Sequence, residues 1–472
     1  MDFEEFKIEY PELPVVQKRE EFFELLQKYQ VVIVKADTGS GKSTQLPKFL
    51  LEYCISLNKG STDVEKAMAF KIGVTEPRRL AAMSIADRLR EELKDDSLVS
   101  TKIRFWEQGT NDAPLKVMTD GILLQEFRRD RLFRQYSAIV IDEAHERSLN
   151  IDILLGIFKT VLKLRPEFKL IVASATLDAK LFENFYDNSC ILEAEGRTYP
   201  VEVEYYFRDE FSGKGDSGLV EEARDAILDL ESRHRDHLLC FLPTERDIQD
   251  LANELKPELD AGSFDILPLF GRMSPDEQRR IFRNTNKTRI VLATNIAETS
   301  LTIPGIAYVV DTGMARISRY NPQARIQGLP VEEISKASAR QRTGRAGRVK
   351  PGVCIRLYSP ENFEKRDDFT EPEIRRSNLS NVVLQLRSLG LEMENFPFLQ
   401  SPPHSAFRGA YKTLFELGAL TADNACGQVT KLGRDMTRLP MDVALSAVLL
   451  RARDGGVLQP ALIVCAALSI QA

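Results

Sequence analysis

Short runs of aliphatic and β-branched residues alternate with longer amphipathic stretches along the first part of the chain: VVIVK (31–35), KIGVT (71–75), LKVMT (115–119), AIVID (138–142) and KLIVAS (169–174). Runs this brief and this uniformly apolar predict buried parallel strands joined by crossover helices. The rhythm restarts after GRTYPVEVEYYF near Gly196, with HLLCFLP (237–243), FDILPLF (264–270), RIVLAT (289–294), AYVVD (307–311) and GVCIRLY (352–358). Two doubly wound α/β sheets in series are therefore expected, with ligands held beyond the carboxyl ends of the strands. Past Ser359 the pattern turns helical, in NLSNVVLQLRSLGL (378–391) and FRGAYKTLFELGAL (407–420), followed by a glycine-containing turn and VTKLGRDM. Helices followed by a small hairpin predict a winged-helix module. The last stretch, MDVALSAVLLRARDGGVLQPALIVCAALSIQA, is apolar with helical periodicity and reads as the start of a helical bundle cut short, or as a helical pair packed on the wing. The expected boundaries are 1–195 and 196–365 for the two sheet domains, 366–436 for the winged helix and 437–472 for the bundle.

Composition adds exclusions. At 472 residues the chain is too long for one core, and 43% apolar with 28% charged residues is the balance of a folded protein rather than a fibrous or disordered one. No run has membrane-spanning length, and the start, MDFEEFKIEYPEL, is acidic where a secretory signal would be basic, so a soluble, cytoplasmic protein with no membrane partner is expected. Six singly scattered cysteines predict reduced core thiols, with neither zinc nor disulfides. A net charge of -6 counts against a broad phosphate-binding surface but leaves room for a groove with local basic groups.

The strand VVIVK runs into Ala36, Asp37, Thr38, Gly39, Ser40, Gly41, Lys42, Ser43 and Thr44, a phosphate loop opening a helix. Glycines turn backbone N–H groups toward phosphates, Lys42 neutralises the outer phosphates and Ser43 offers a hydroxyl to Mg²⁺. Ala36 stands where the pattern usually has its leading glycine. The second half of such a site is a strand that ends in acids, and AIVI delivers Asp142 and Glu143. Asp142 suits a water-mediated hold on Mg²⁺, while Glu143 can also face the metal or polarise the attacking water. Together they point to hydrolysis of ATP, or of nucleoside triphosphates more broadly.

Asp142-Glu143-Ala144-His145 resembles the signature of the DEAH-box RNA helicases, and further segments match that family in order: TEPRRLAAMS (75–84), MTDG (118–121), SAT (174–176), FLPTERDI (241–248), ATNIAETSLTIPGI (293–306) and QRTGRAGR (341–348). Phrases such as LFGRMSPDEQ, ARISRYN and ISKASARQR look most like the bacterial HrpA-type branch. The resemblance runs from about residue 13 to the end and implies two RecA-like lobes. In QRTGRAGR the glycines are read as permitting a tight start to a helix, with arginines every three residues along one side. By resemblance, Arg345 and Arg348 are arginine fingers and Gln341 positions the water; a planar fork suits charge spread over several phosphoryl oxygens. His145, Ser174, Thr176, Ser300 and Thr302 are implied as coupling elements, and Arg88 with Phe282 as the pair that sandwiches the base. Pro304 stands where many members carry an acid, so a ribose or water contact from that acid does not transfer.

The resemblance also implies nucleic-acid contacts from Pro77, Arg78 and Arg79, from Thr119, Asp120 and Gly121, and from Thr294 and Asn295. Such groups grip phosphates and sugars without reading bases. The span 316–335, RISRYNPQARIQGLPVEEIS, is either a strand-separating hairpin or an ordinary edge hairpin. The function that the resemblance implies is ATP-driven, 3′-to-5′ movement of a monomer on RNA, with DNA translocation or a nucleotide-dependent switch as rivals. A P-loop kinase is excluded by the second lobe.

Overall fold

The structure is a computed structural model describing residues 8–37, 39–58, 70–175, 179–194, 199–206, 217–233, 235–283, 285–298, 303–321, 326–348, 350–439 and 441–469. Thr38, Thr176, Ser300 and Thr302, named above, lie outside the described residues. Two compact units form: Met1–Glu146, Leu162–Ile317 and Leu329–Thr370 make the first, and Arg147–Val161, Ser318–Gly328 and Glu371–Ala472 the second.

Both sheet lobes belong to the first unit. Lobe 1 has β1 (Val31–Ala36), β2 (Ile72–Glu76), β3 (Val99–Ile103), β4 (Trp106–Gln108), β5 (Leu115–Thr119), β6 (Ala138–Ile141), β7 (Lys169–Ser174) and β8 (Ser189–Ala194), in the order β4-β3-β5-β2-β6-β7-β1-β8. Only β4 runs antiparallel to its neighbour among these pairings. Register decides what meets at the carboxyl ends. Lys35 lies opposite Ser174, and Ile141 opposite Val172, so the phosphate loop, the Asp142–Glu143 pair and Ser174 leave three adjacent strands at one edge. Thr75 lies opposite Ile141 and Glu76 opposite Thr119, which sets the turns at 77–79 and 119–121 beside them. The helix Lys42–Asn58 buries Leu46, Phe49, Leu50, Tyr53 and Cys54, an i, i+3, i+4 stripe on the face that meets β2, β6 and the helix Arg79–Leu93.

Lobe 2 contains β9 (Val201–Tyr205), β10 (Leu238–Phe241), β11 (Phe264–Leu269), β12 (Thr288–Ala293) and β13 (Tyr308–Asp311); four short strands follow, β14 (Met314–Arg316), β15 (Arg319–Asn321), β16 (Ile326–Gly328) and β17 (Val331–Glu333), then β18 (Gly352–Arg356). The parallel order is β11-β12-β10-β13-β18-β9. Pro268 sits in the edge strand β11, where a missing N–H does not interrupt the sheet. The helix Glu245–Leu255 starts with a capping box in which Thr244 and Asp247 exchange hydrogen bonds, the start signal carried by PTERD. In the 316–335 span β14 pairs with β17 and β15 with β16, both antiparallel, the first pair within the first unit and the second within the second unit.

In the second unit Arg147 pairs with Asp152 at 2.6 Å and donates to Gln400 at 3.1 Å, which pins the helix Leu149–Leu164 at its start. The helices Ser380–Ser388 and His404–Glu416 pack together, and Leu420 forms an antiparallel bridge with Val429 before the helix Lys431–Met436. The expected wing hairpin is thus a minimal one: Thr421 N–H donates to Gln428 O and Thr430 N–H to Ala419 O, each at 3.0 Å, on either side of the bridge, and Gly427 N–H to Asn424 O closes the tip. The helices Val443–Asp454 and Leu458–Ser469 pack on each other, and Leu462, Ile463, Val464 and Leu468 of the latter stay exposed. Among the described residues no helix is long and apolar enough to cross a membrane. Five cysteines are buried and Cys426 is exposed.

Candidate active site

The turn between β1 and the helix at Lys42 needs glycine for two reasons. Gly39 and Gly41 have φ of 89° and 92°, in the left-handed region, and a Cβ on Gly41 would stand 2.6 Å from Leu13 Cδ1. Val15 N–H donates to Ser40 O at 3.2 Å, so the N-terminal segment packs on the loop. Lys42, 4% exposed, meets Glu143 Oε1 at 3.1 Å. Burial alone would depress its ammonium, but the charges of Glu143 and Asp142 hold it above the ordinary lysine value.

Glu143 follows the buried strand β6 with a φ of 49°, a strained conformation of the kind found where side chains must be aimed. Its N–H donates to Asp142 Oδ1 at 2.8 Å. Burial pushes the Glu143 carboxyl up, yet Lys42, His145 and Arg345 outweigh it and bring it down to about 2. Asp142 moves the other way, raised by burial and by the charge of Glu143, with Lys42 and the Ser43 hydroxyl opposing. One acid is thereby kept ionised beside another that resists ionisation. His145 Nε2 lies 3.3 Å from Glu143 Oε2, while its Nδ1 accepts from Ala175 N–H at 3.3 Å. Burial holds the ring below the ordinary histidine value, against the pull of Glu143, and the ring links the acid turn to the end of β7, where Ser174 is fully buried.

Lobe 2 corrects one expectation. The glycines of QRTGRAGR follow a helix instead of starting one: the helix Lys336–Thr343 ends at them, and Arg345 and Arg348 lie in the turn beyond. The cause is a close approach, since a Cβ on Gly347 would come 2.4 Å from Tyr199 O, and Tyr199 N–H donates to Gly347 O at 2.8 Å. The three arginines part company. Arg342 is fully buried in lobe 2, where it pairs with Asp311 at 2.8 Å and Glu298 at 3.0 Å and lies 4.7 Å from the Phe241 ring centre. Arg348 faces lobe 1, its Cδ and Nε each 3.9 Å from where a Gly39 Cβ would be. Arg345 donates to Glu298 O and feels the charge of Glu143; burial, aided by Arg348, holds its guanidinium well below the usual range. Burial likewise lowers Arg348, to about 10. Converting Arg342 to Ala should cost ~3–5 kcal/mol, because Asp311 and Glu298 would keep buried, uncompensated charge; a lower denaturant midpoint measures it.

Buried atoms that accept or donate no hydrogen bond within the protein gather here: Ser40 Oγ, Asp142 Oδ2, Glu143 Oε2 and Gln341 Nε2. Donors and acceptors left in this way around a lysine and two acids fit a triphosphate with Mg²⁺ and a water.

The residues named for nucleic acid divide. Arg78 pairs with Glu146 at 3.3 Å and donates to Ile296 O at 2.6 Å, reaching across to lobe 2, whose apolar cluster also receives Leu80. Arg79 and Asn295 are exposed, and Pro77, Thr119, Gly121 and Thr294 half-buried. Asp120 is 2% exposed; burial raises its carboxyl to about 7, against a hydrogen bond from Thr75, and its side chain turns into the lobe. Arg88 is engaged by Glu92 at 2.8 Å and Glu91 at 3.2 Å on the lobe 1 helix Arg79–Leu93, and Phe282 packs on the lobe 2 cluster, so one member of the pair stands on each lobe. Glu298, Arg342 and Glu146 went unremarked individually in the sequence, although each lies in or next to a quoted motif.

Tandem sheets with a phosphate loop on one and paired arginines on the other are the two-lobed architecture of the helicase class. The chain matches the DEAD/DEAH box helicase model over residues 17–185, the helicase conserved C-terminal domain over 220–350 and the helicase associated domain (HA2), winged-helix, over 410–441. It is 46% identical over 98% of its length to the ATP-dependent RNA helicase HrpA of Escherichia coli K12, and 45% identical to the HrpA homolog of Haemophilus influenzae, spanning 35% of each. The chain thus covers about a third of the curated relatives it matches. Among solved structures, the E. coli DEAH/RHA helicase HrpB superposes with a TM-score of 0.85 at 32% identity, over 98% of this chain and 57% of that one. A second structure, of the E. coli DExH-box NTPase HrpB, gives 0.82 at 31%, over 99% and 56%. The chain belongs to the DEAH-box helicases, in their HrpA-type branch.

Proposed function

We propose that this chain is the motor core of an RNA-dependent ATPase that steps 3′-to-5′ along a single strand as a monomer, separating duplexes or remodelling RNA–protein complexes. The carrying observation is the buried Lys42–Glu143 pair, with Arg345 close enough to influence Glu143 and Arg348 beside the phosphate loop. Thr38 to Thr44 cradle the phosphates, Glu143 takes the proton of the attacking water, and Gln341 orients that water. Arg345 and Arg348 meet the charge that develops on the transferred group. Ser43 and Asp142, with Glu143 nearby, would hold magnesium, which would neutralise the phosphate oxygens. Arg88 and Phe282 flank the base, and stacking without edge contacts admits other nucleoside triphosphates. His145, Ser174, Thr176, Ser300 and Thr302 couple the site to lobe movement. The domain boundaries 1–195, 196–365, 366–436 and 437–472 belong to this reading.

RNA contacts come from Pro77, Arg78, Arg79, Thr119, Gly121, Thr294 and Asn295, and from Asp120 through its backbone, since its carboxyl turns inward. Homopolymeric RNA should stimulate hydrolysis whatever its base, and its affinity should fall roughly tenfold between 50 and 200 mM salt, as expected for a few phosphate contacts. Steady-state ATPase titrated with RNA and DNA homopolymers checks both. No stimulation by any polynucleotide overturns the motor reading, and a response to DNA alone replaces RNA with DNA.

A further inference from the structure

The lobe 2 segment 294–298 is held by arginines on three sides. Arg78 of lobe 1 donates to the carbonyls of Asn295 at 3.5 Å and Ile296 at 2.6 Å. Arg345 donates through Nε at 3.1 Å, and again through Nη2, to the carbonyl of Glu298. The Glu298 carboxylate accepts from Arg342 Nε at 3.0 Å, and Arg342 is itself fixed by Asp311 at 2.8 Å and by the Phe241 face. Glu298 N–H donates to Asn295 O at 3.1 Å, so residues 295–298 form one tight turn. Glu298 is 8% exposed and stands four positions after Thr294. Its side chain is thus tied to the lobe 2 core, its carbonyl holds the finger, and its turn begins with the proposed strand contacts.

We infer that Glu298 is a positioning residue for hydrolysis: it sets where the Arg345 guanidinium sits. The inference rests on the motor reading above. The pair with Arg342 fixes the turn sideways. Without it the backbone hydrogen bonds remain, but the carbonyl that carries Arg345 loses its lateral anchor. A loose finger weakens contact with developing charge much more than contact with bound nucleotide, because the fork must match the transition state within a fraction of an ångström. A merely structural anchor would instead lower stability and leave per-molecule turnover of the folded fraction unchanged.

The test is Glu298→Gln, alone and combined with Arg345→Ala, in ATPase assays with and without polyuridylate. The expected result is an RNA-stimulated kcat about tenfold lower, with KM for ATP and RNA affinity within about twofold of the starting chain. The double variant should be no slower than Arg345→Ala alone, since Glu298 acts through that arginine. Multiplying losses in the double variant, or an unchanged kcat in the single one, overturns the inference. Arg342→Lys gives an independent route if Glu298→Gln is unstable: it keeps a cation beside Asp311 but withdraws the fork from Glu298, and should reproduce the kcat-only loss. A folded Arg342→Lys chain with full kcat overturns the inference equally. If the unsubstituted chain shows no polynucleotide stimulation, the motor reading fails; if it is stimulated and these variants match it, only the role of Glu298 fails.

Discussion

Glu143→Gln should lower kcat for ATP hydrolysis by about three orders of magnitude while leaving nucleotide affinity within a few-fold, the scale set by loss of a positioned general base. The carboxylate is ready for that task before any ligand arrives. Lys42 at 3.1 Å, together with His145 and Arg345, holds it at about 2 against the cost of burial, so it is ionised throughout the physiological range. The amide is nearly isosteric and can still face Lys42, but cannot take a proton. The acid limb of the rate profile should therefore not reflect protonation of Glu143: its pKa is depressed, the charged form persists as pH falls, and the base is lost only near its low value. Equilibrium binding of a fluorescent nucleotide beside single-turnover hydrolysis separates the two effects. Hydrolysis within tenfold of normal would remove Glu143 from the role of base.

The second large effect concerns the fingers. Arg348→Ala and Arg345→Ala should each reduce kcat by roughly a thousandfold, as for arginine fingers generally, with KM changing far less. Lysine should rescue neither, because a point charge on a flexible stem cannot reproduce a planar fork. Arg348 approaches the phosphate loop at Gly39, whereas Arg345 is anchored on Glu298 O, so the two reach the site from different supports. If both substitutions instead raised KM in step with their loss of kcat/KM, the arginines would be ground-state binders and not fingers.

Much of the fold could be read from strand chemistry. A parallel strand buried on both faces has no polar side, so VVIVK, AIVID and RIVLAT stand out as unbroken apolar runs, and the observed strands fall on them. The acid pair was legible for the same reason: an apolar run that stops on two carboxylates has delivered them to a strand end. What escaped depends on contacts between distant residues. A spacing of three cannot tell a buried arginine from two that face a cleft, and only the partners Asp311 and Glu298 separate Arg342 from Arg345 and Arg348. The helix end at Thr343 is set by the approach of Tyr199 to Gly347, over a hundred positions away, which local propensity does not record. Asp120 sits in a motif but turns its carboxyl into its own lobe, a distinction carried by burial alone.

The contact of Tyr199 with Gly347 has a further consequence. The chain crosses from one sheet to the other and, on arrival, is clamped by backbone to the very turn that presents the arginines, with no room for even a methyl group between them. Crossover and arginine turn are thus a single mechanical part, so a residue added or removed just before β9 should displace the guanidiniums of Arg345 and Arg348 as surely as a change within QRTGRAGR itself.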